Sequence, residues 1–165
     1  AFWLSDTPEV EGSTSYGNDL PRLCTWAKFK NKFNEERYYV YNCHLDHISI
    51  RSREKSAKQI KEHMVANCGN SRNIILMGDM NCPFTFIENT ISTLAEQGIK
   101  LKDTCTTSFQ GTFHWWTGFA FFRLDYIFID PDYEVKEYTI LKKDFNGKYP
   151  SDHYPIIVQF APLTK

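Results

Sequence analysis

Long hydrophobic runs are absent from this sequence. No segment approaches the ~20 apolar residues of a membrane-spanning helix, which predicts a soluble chain without a transmembrane segment. An excess of either charge is also absent, since 19 Lys and Arg residues against 20 Asp and Glu residues leave a net charge of −1. This balance argues against a broad surface that coats nucleic acid, while a small basic stripe or metal-bridged binding of phosphate remains compatible with it.

Cysteine motifs are missing too. The five cysteines form no CxxC pair and have no histidine partners at the spacing of a zinc site. An odd, unpatterned set predicts reduced, buried thiols rather than a disulfide framework, although one or two disulfides remain compatible with it. Reduced thiols slightly favour a cytoplasmic location. No signal or transit peptide is recognisable at the start of the sequence, and the localisation stays open.

The chain also lacks repeats, low-complexity segments and shifts in composition, so residues 1–165 are predicted to form one domain. Strands are predicted over 23–30, 37–45, 73–79, 123–130, 133–141 and 154–160, with the apolar run 73–79 covered on both faces. A basic amphipathic helix is predicted from Ser49 to Cys68, with a solvated Lys and Arg face, and a second helix from Pro83 to Gly98. This order predicts an α/β fold in which two sheets pack together with helices outside.

Four polar clusters lie at the ends of these strands or within them. In YNCHLDH, His44 ends a strand, a position where a single histidine is usually structural or exposed. In MGDMN, strand alternation predicts that Asp79 and Asn81 point to the same side. A carboxylate and an amide there suit a hard cation or an attacking water, or else an Asx turn before the next helix.

The other two clusters are RLDYIF and YPSDHYP. Asp125 stands among apolar residues and needs a partner, which is either Arg123 in a salt bridge or a histidine whose tautomer the carboxylate would set. Asp152 and His153 stand at the mouth of the last strand, where a turn can present both side chains to one pocket. Each cluster alone has a structural explanation, but four in one chain indicate a functional site.

NCHLD, GDMN, LDYIF and SDHYP, in that order, resemble the endonuclease/exonuclease/phosphatase (DNase I-like) superfamily over nearly the whole chain. The resemblance implies a four-layer α/β/β/α fold, with a two-sheet β-sandwich flanked by helices. It also implies hydrolysis of a phosphodiester or phosphomonoester with Mg²⁺ or Mn²⁺. The implied substrate is a phosphate ester such as nucleic acid, a nucleotide, a sugar phosphate or a lipid headgroup. The alternative is an inactive relative that binds a phosphate ligand or a protein.

The resemblance also implies roles for individual residues. Asp79 would orient the attacking water, and Asn81 would assist at the phosphate or the metal. Asp125 would orient His153, which would contact the scissile phosphate or act as a base. His44 matches the family's second histidine, near the leaving group or the phosphate.

For the metal, the resemblance implies a site made by Asp79, Asn81 and Asp152. The family's principal metal-binding Glu lies upstream of the matched segment, and neither Glu9 nor Glu11 matches it. We therefore expect the chain to be the C-terminal two-thirds of the domain, with an upstream segment missing, and to be inactive and unstable alone. If it were active alone, Glu9 and Asp46 would be the first candidates for a replacement ligand.

An aromatic loop precedes the third cluster: Trp115, Trp116, Phe119, Phe121 and Phe122 lie between His114 and Arg123. These rings could stack on a base or a sugar or seat a lipid, but a hydrophobic plug beneath the loop is slightly favoured. His114 and Arg123 are additional candidates for substrate binding.

Overall fold

The computed structural model describes residues 1–69, 71, 73–82, 99–106 and 110–163. Within them lie β1 (Phe2–Trp3), β2 (Leu23–Lys30), β3 (Arg37–His44), α1 (Ile50–Cys68), β4 (Ile74–Asp79), β5 (Lys102–Asp103), β6 (Asp125–Ile129), β7 (Tyr133–Ile140) and β8 (Ile156–Pro162). Their order confirms the predicted α/β class.

The main sheet has six strands in the order β1-β2-β3-β4-β6-β5. Only β3 and β4 pair in parallel within the described chain, and the other neighbours are antiparallel. A parallel pair needs a crossover connection, and α1 supplies it. As a result, the carboxyl ends of β3 and β4 and the amino end of β6 lie at one edge of the sheet.

Helix α1 begins and ends with clear local signals. Ser49 is the N-cap, and its side chain accepts a hydrogen bond from the Ser52 N–H at 3.1 Å. Gly69 follows the last turn with φ 58°, a conformation that glycine adopts at little cost. The inner face of α1 buries Ile60 and Met64 in the core against the main sheet. The predicted helix from Ser49 to Cys68 is confirmed, but its Lys and Arg residues are not all solvated, since Arg53 and Lys61 are buried.

A second, two-stranded sheet is formed by β7 and β8. The connection between them is held by backbone pairing to the aromatic loop: the His114 N–H donates to the Asp152 carbonyl at 2.9 Å, and the Tyr154 N–H donates to the Thr112 carbonyl at 2.8 Å. These bonds place Asp152 and His153 beside the main sheet.

β4 is covered on both faces, since each of its residues is buried or half-buried. The cover is thinner on the face of Met77, which lines a cavity of about 310 Å³ together with Ile127 and Ile156. The predicted helix from Pro83 to Gly98 lies almost wholly outside the described residues. No helix in the described ranges has the length and apolar character of a membrane span.

Candidate active site

Strand register brings three of the predicted residues into one row. His44, the last residue of β3, pairs with Asp79, the last residue of β4. Asp79 in turn pairs with Asp125, the first residue of β6. His153 reaches this row from the connection before β8, where it forms a bridge to Phe113. Four residues from four separate segments therefore meet at one edge of the main sheet.

His153 lies between two carboxylates. Its Nδ1 is 2.7 Å from Asp125 Oδ2, and its Nε2 is 3.8 Å from Asp79 Oδ2. His44 Nε2 approaches the same Asp79 oxygen at 3.4 Å. Of the two partners open to Asp125 from the sequence, the structure shows the histidine.

Arg123 lies elsewhere. Its Nη1 donates to Asp103 Oδ1 at 3.2 Å, and its guanidinium lies 4.2 Å from the centre of the Tyr126 ring. The structure does not bring Arg123 into the row, and its role in substrate binding remains a prediction.

Asp79 and the two histidines differ in their protonation behaviour. Burial raises the pKa of Asp79 to about 6. The hydrogen bond that His153 donates to Asp125 raises the pKa of His153 above its ordinary value, whereas burial, aided by the charge of Arg22, lowers the pKa of His44. The pKa values of the two histidines are thus shifted in opposite directions, so that His153 favours the imidazolium and His44 favours the neutral ring.

A divalent cation fits this cluster. Asp79, Asp125 and His153 each offer a ligand atom, and these atoms lie within 4.8 Å of one another. Asp79 Oδ1 accepts the Asn81 N–H at 2.8 Å, while Oδ2 faces the histidines. Carboxylate oxygens suit Mg²⁺ or Mn²⁺, and an imidazole oriented by a second carboxylate is a frequent metal ligand.

This set differs from the expected Asp79, Asn81 and Asp152. Asn81 has φ 46°, so strand alternation does not extend beyond Asp79, and the common side of the two residues remains a prediction. The Asn81 N–H closes an Asx turn on Asp79, and its side-chain amide donates to the Leu45 carbonyl at 2.9 Å. Asp152 lies next to the cluster, where its charge contributes to the raised pKa of His153. Metal ligation by Asn81 and Asp152 remains a prediction.

The replacement ligands expected for an active fragment lie outside the cluster. Asp46 is fully buried, and its carboxylate accepts backbone N–H groups of Asp19 and Ile48, as in a turn. Glu9 is exposed on the loop before β2.

One residue at the site was not anticipated. Arg22, just before β2, lines a cavity of about 510 Å³ together with His44, Asp79 and Asp125. Its only sequence signal is an arginine at the entrance to a strand, between Pro21 and an apolar run, which is too common to identify a site.

The aromatic loop is not a plug. Its five large rings are between 53% and 74% exposed, which contradicts the favoured expectation of packing beneath the loop. His114 is 2% exposed, stacks on Tyr154 at 4.1 Å, and has no hydrogen-bond partner for Nε2 in the described part of the chain. It is therefore adjacent to the row but not shown to reach the 510 Å³ cavity, and substrate binding by His114 stays a prediction.

The model of the Endonuclease/Exonuclease/phosphatase family matches residues 1–153. A solved endonuclease/exonuclease/phosphatase family protein from Bacteroides thetaiotaomicron is 32% identical with a TM-score of 0.82, covering 96% of this chain and 62% of its own. A mannosyl-6-phosphatase from the same species is 32% identical with a TM-score of 0.80, covering 97% and 64%. No curated protein matches.

A more distant structure shares the fold. The human Nocturnin catalytic domain is 19% identical with a TM-score of 0.66, covering 86% of this chain and 53% of its own. The chain therefore spans less than two thirds of the length of the solved relatives described above. The match over residues 1–153 includes all four residues of the row, and with it the chain belongs to the endonuclease/exonuclease/phosphatase family.

Proposed function

We propose that this chain carries catalytic residues of a metal-dependent phosphoesterase, which hydrolyses a phosphomonoester or phosphodiester by in-line attack of water. The convergence of His44, Asp79, Asp125 and His153 at one sheet edge carries this proposal. Family membership and the similarity to a mannosyl-6-phosphatase support it.

The metal would be Mg²⁺ or Mn²⁺, held by Asp79 together with the predicted ligands Asn81 and Asp152, while His153, which favours the imidazolium, would contact the phosphate instead. Such an ion, when bound, neutralises charge that develops on the phosphoryl oxygens.

The chain's own groups would divide the remaining work. The Asp79 carboxylate, ionised above its pKa of about 6, would orient the attacking water through Oδ2. Asp125 would hold His153 in position and favour its imidazolium, which would donate to a phosphoryl oxygen. His44, with its lowered pKa, would be a neutral hydrogen-bonding group near the leaving oxygen.

The proposed substrates are small esters or single strands rather than duplex nucleic acid, because a net charge of −1 provides little attraction for a duplex. The 32% identity to a mannosyl-6-phosphatase makes sugar phosphates a first choice within the panel.

The test uses the full-length protein that contains this chain. Replacing His153 by Ala removes the group that faces both carboxylates and should lower turnover roughly 10²- to 10⁴-fold. The control is His63→Gln, a histidine substitution on α1 that keeps a polar partner for Tyr41. Sugar phosphates, nucleotides, single-stranded nucleic acids and lipid headgroups should be assayed with each metal.

The rival proposal is a binding module that lost turnover. All the matched positions keep chemically competent residues, which disfavours it. Calorimetry with Mg²⁺ and phosphate beside the turnover assay separates the two: binding without hydrolysis of any ester in the panel would favour the module and overturn the enzyme.

A further inference from the structure

Arg22 is a buried cation in the candidate active site. Its residue is 8% exposed, and its side chain lines the same cavity as His44, Asp79 and Asp125. The Arg22 carbonyl accepts the Leu4 N–H at 2.8 Å, which fixes the backbone at the entrance to β2. The backbone of Arg22 is therefore fixed beside the edge of the main sheet that carries the row.

The hydrogen-bond partners of this guanidinium are incomplete. Nη2 lies 3.0 Å from His47 Nδ1, and Nε is buried with no partner in the described ranges. Arg22 also forms no ion pair with a carboxylate of the described chain, and the Asp19 carboxylate lies 3.8 Å from His47 Nε2.

Burial of the Arg22 guanidinium costs free energy when no ligand is bound. Arginine keeps its charge at all relevant pH values, and a buried charge is stable only when it is paired and hydrogen-bonded. Its flat fork of five donors matches the oxygens of a phosphate, which it can bind in bidentate fashion. The charge and the donors that lack acceptors indicate that the cavity binds an anion.

We propose that Arg22 is a substrate-binding residue that donates to the non-bridging oxygens of the phosphate group, and that His47 is a positioning residue for it. This inference rests on the proposed function and adds a specific group to it. The His47 Nδ1 acceptor requires the ring proton on Nε2, the nitrogen that faces Asp19 Oδ2, so Asp19 and His47 together hold the guanidinium.

The experiment measures binding of inorganic phosphate to the metal-loaded full-length protein by calorimetry, together with kcat and KM. Arg22→Met should weaken phosphate binding about 10- to 100-fold and raise KM for the ester. Arg22→Lys should restore part of the affinity, because it keeps the charge but loses the fork. His47→Gln should give a smaller loss than Arg22→Met. Arg51→Met, at an exposed arginine of α1, is the matched control and should change nothing.

Thermal melting distinguishes this role from a structural one. Removal of an unpaired buried charge should leave the melting temperature without phosphate unchanged or higher, and should abolish the rise that phosphate produces in the wild type. A lower melting temperature with the phosphate response intact would assign Arg22 to folding and overturn the inference. If Arg22→Met does not fold, the same comparison is made with Arg22→Lys, whose phosphate affinity must then fall for the inference to stand.

The two proposals can fail separately. Phosphate binding that depends on Arg22 in a protein without turnover would contradict the phosphoesterase and leave the anion site. If Arg22→Met retains turnover with unchanged phosphate affinity and unchanged KM, the proposed role of Arg22 is wrong while the phosphoesterase proposal stands.

Discussion

The ionised carboxylate of Asp79, which the proposed reaction needs, lowers the stability of the fold. This carboxylate is mostly buried, with one oxygen bonded to the Asn81 N–H and the other facing His44 and His153. Burial raises its pKa to about 6, so the ionised form that catalysis would need is the form that folding disfavours. Functional sites commonly carry such a cost.

The charge of Asp79 should therefore destabilise the metal-free protein at neutral pH. Since the pKa rises from 3.8 in the unfolded chain to about 6 in the fold, the cost is absent below 3.8, grows between these values and is complete above about 6. Asp79→Asn, which keeps an acceptor for the Asn81 N–H, should stabilise by about 1–3 kcal/mol at pH 7.5 and little near pH 4.

Urea denaturation in the presence of a chelator measures this effect. Glu54→Gln, on the exposed side of α1, is the control and should have no effect at either pH. A loss of stability in Asp79→Asn at pH 7.5 would show that the ionised carboxylate supports the metal-free fold and would contradict the argument from burial.

At the scale of elements, the site depends on the close approach of β3 and β4. Gly78 in β4 has φ 135°, and a Cβ at this position would overlap the Cys43 carbonyl oxygen of β3. Gly78 directly precedes Asp79, so the spacing of the two strands and the position of the carboxylate are set together. A side chain here would force apart the parallel pair that aligns His44 with Asp79.

Gly78→Ala should accordingly destabilise the protein by about 3–5 kcal/mol, combining overpacking with an unfavourable backbone conformation. Gly12→Ala is a matched control, since Gly12 also has positive φ, at 69°, but a Cβ there meets no atom within 4 Å. The control should cost only about 1–2 kcal/mol. Equal losses of unfolding free energy in the two variants would show that the contact of Gly78 with β3 adds no cost beyond that of the positive φ.

At the scale of the whole molecule, the core holds its cysteines as separate thiols. None of the five forms a disulfide with another described cysteine, as the unpatterned spacing predicted, and all but Cys105 are buried. Burial raises the pKa of the Cys24 thiol to about 12 and raises that of Cys43 as well. Buried thiols with raised pKa values are poor nucleophiles.

Labelling with a thiol reagent at pH 7.5 should therefore modify Cys105 first in the native protein, and all five cysteines after denaturation. A reductant should leave both the mass and the melting temperature unchanged. Peptide mapping that found a disulfide, or rapid native labelling of Cys24 or Cys43, would contradict this packing.

The sequence was sufficient for the longer elements of the fold, because their signals are local, whereas the two-residue strands β1 and β5 were missed. Alternation identified β3, the Ser49 cap and the apolar spacing identified α1, and the positions of four polar clusters identified the residues of the row. Alternation does not extend to Asn81, where a left-handed backbone departs from strand geometry. It also could not choose between Arg123 and His153 as the partner of Asp125, since that choice depends on a contact across 28 positions of the chain.

By itself, then, the sequence determined the fold class, the family resemblance and the identity of His44, Asp79, Asp125 and His153 as candidates. Only the tertiary structure decided how they meet, because register between strands brings distant residues within hydrogen-bonding distance. It alone revealed Arg22 as a buried cation, since burial and missing partners are properties of the surrounding cavity and not of the residue or its neighbours in the chain.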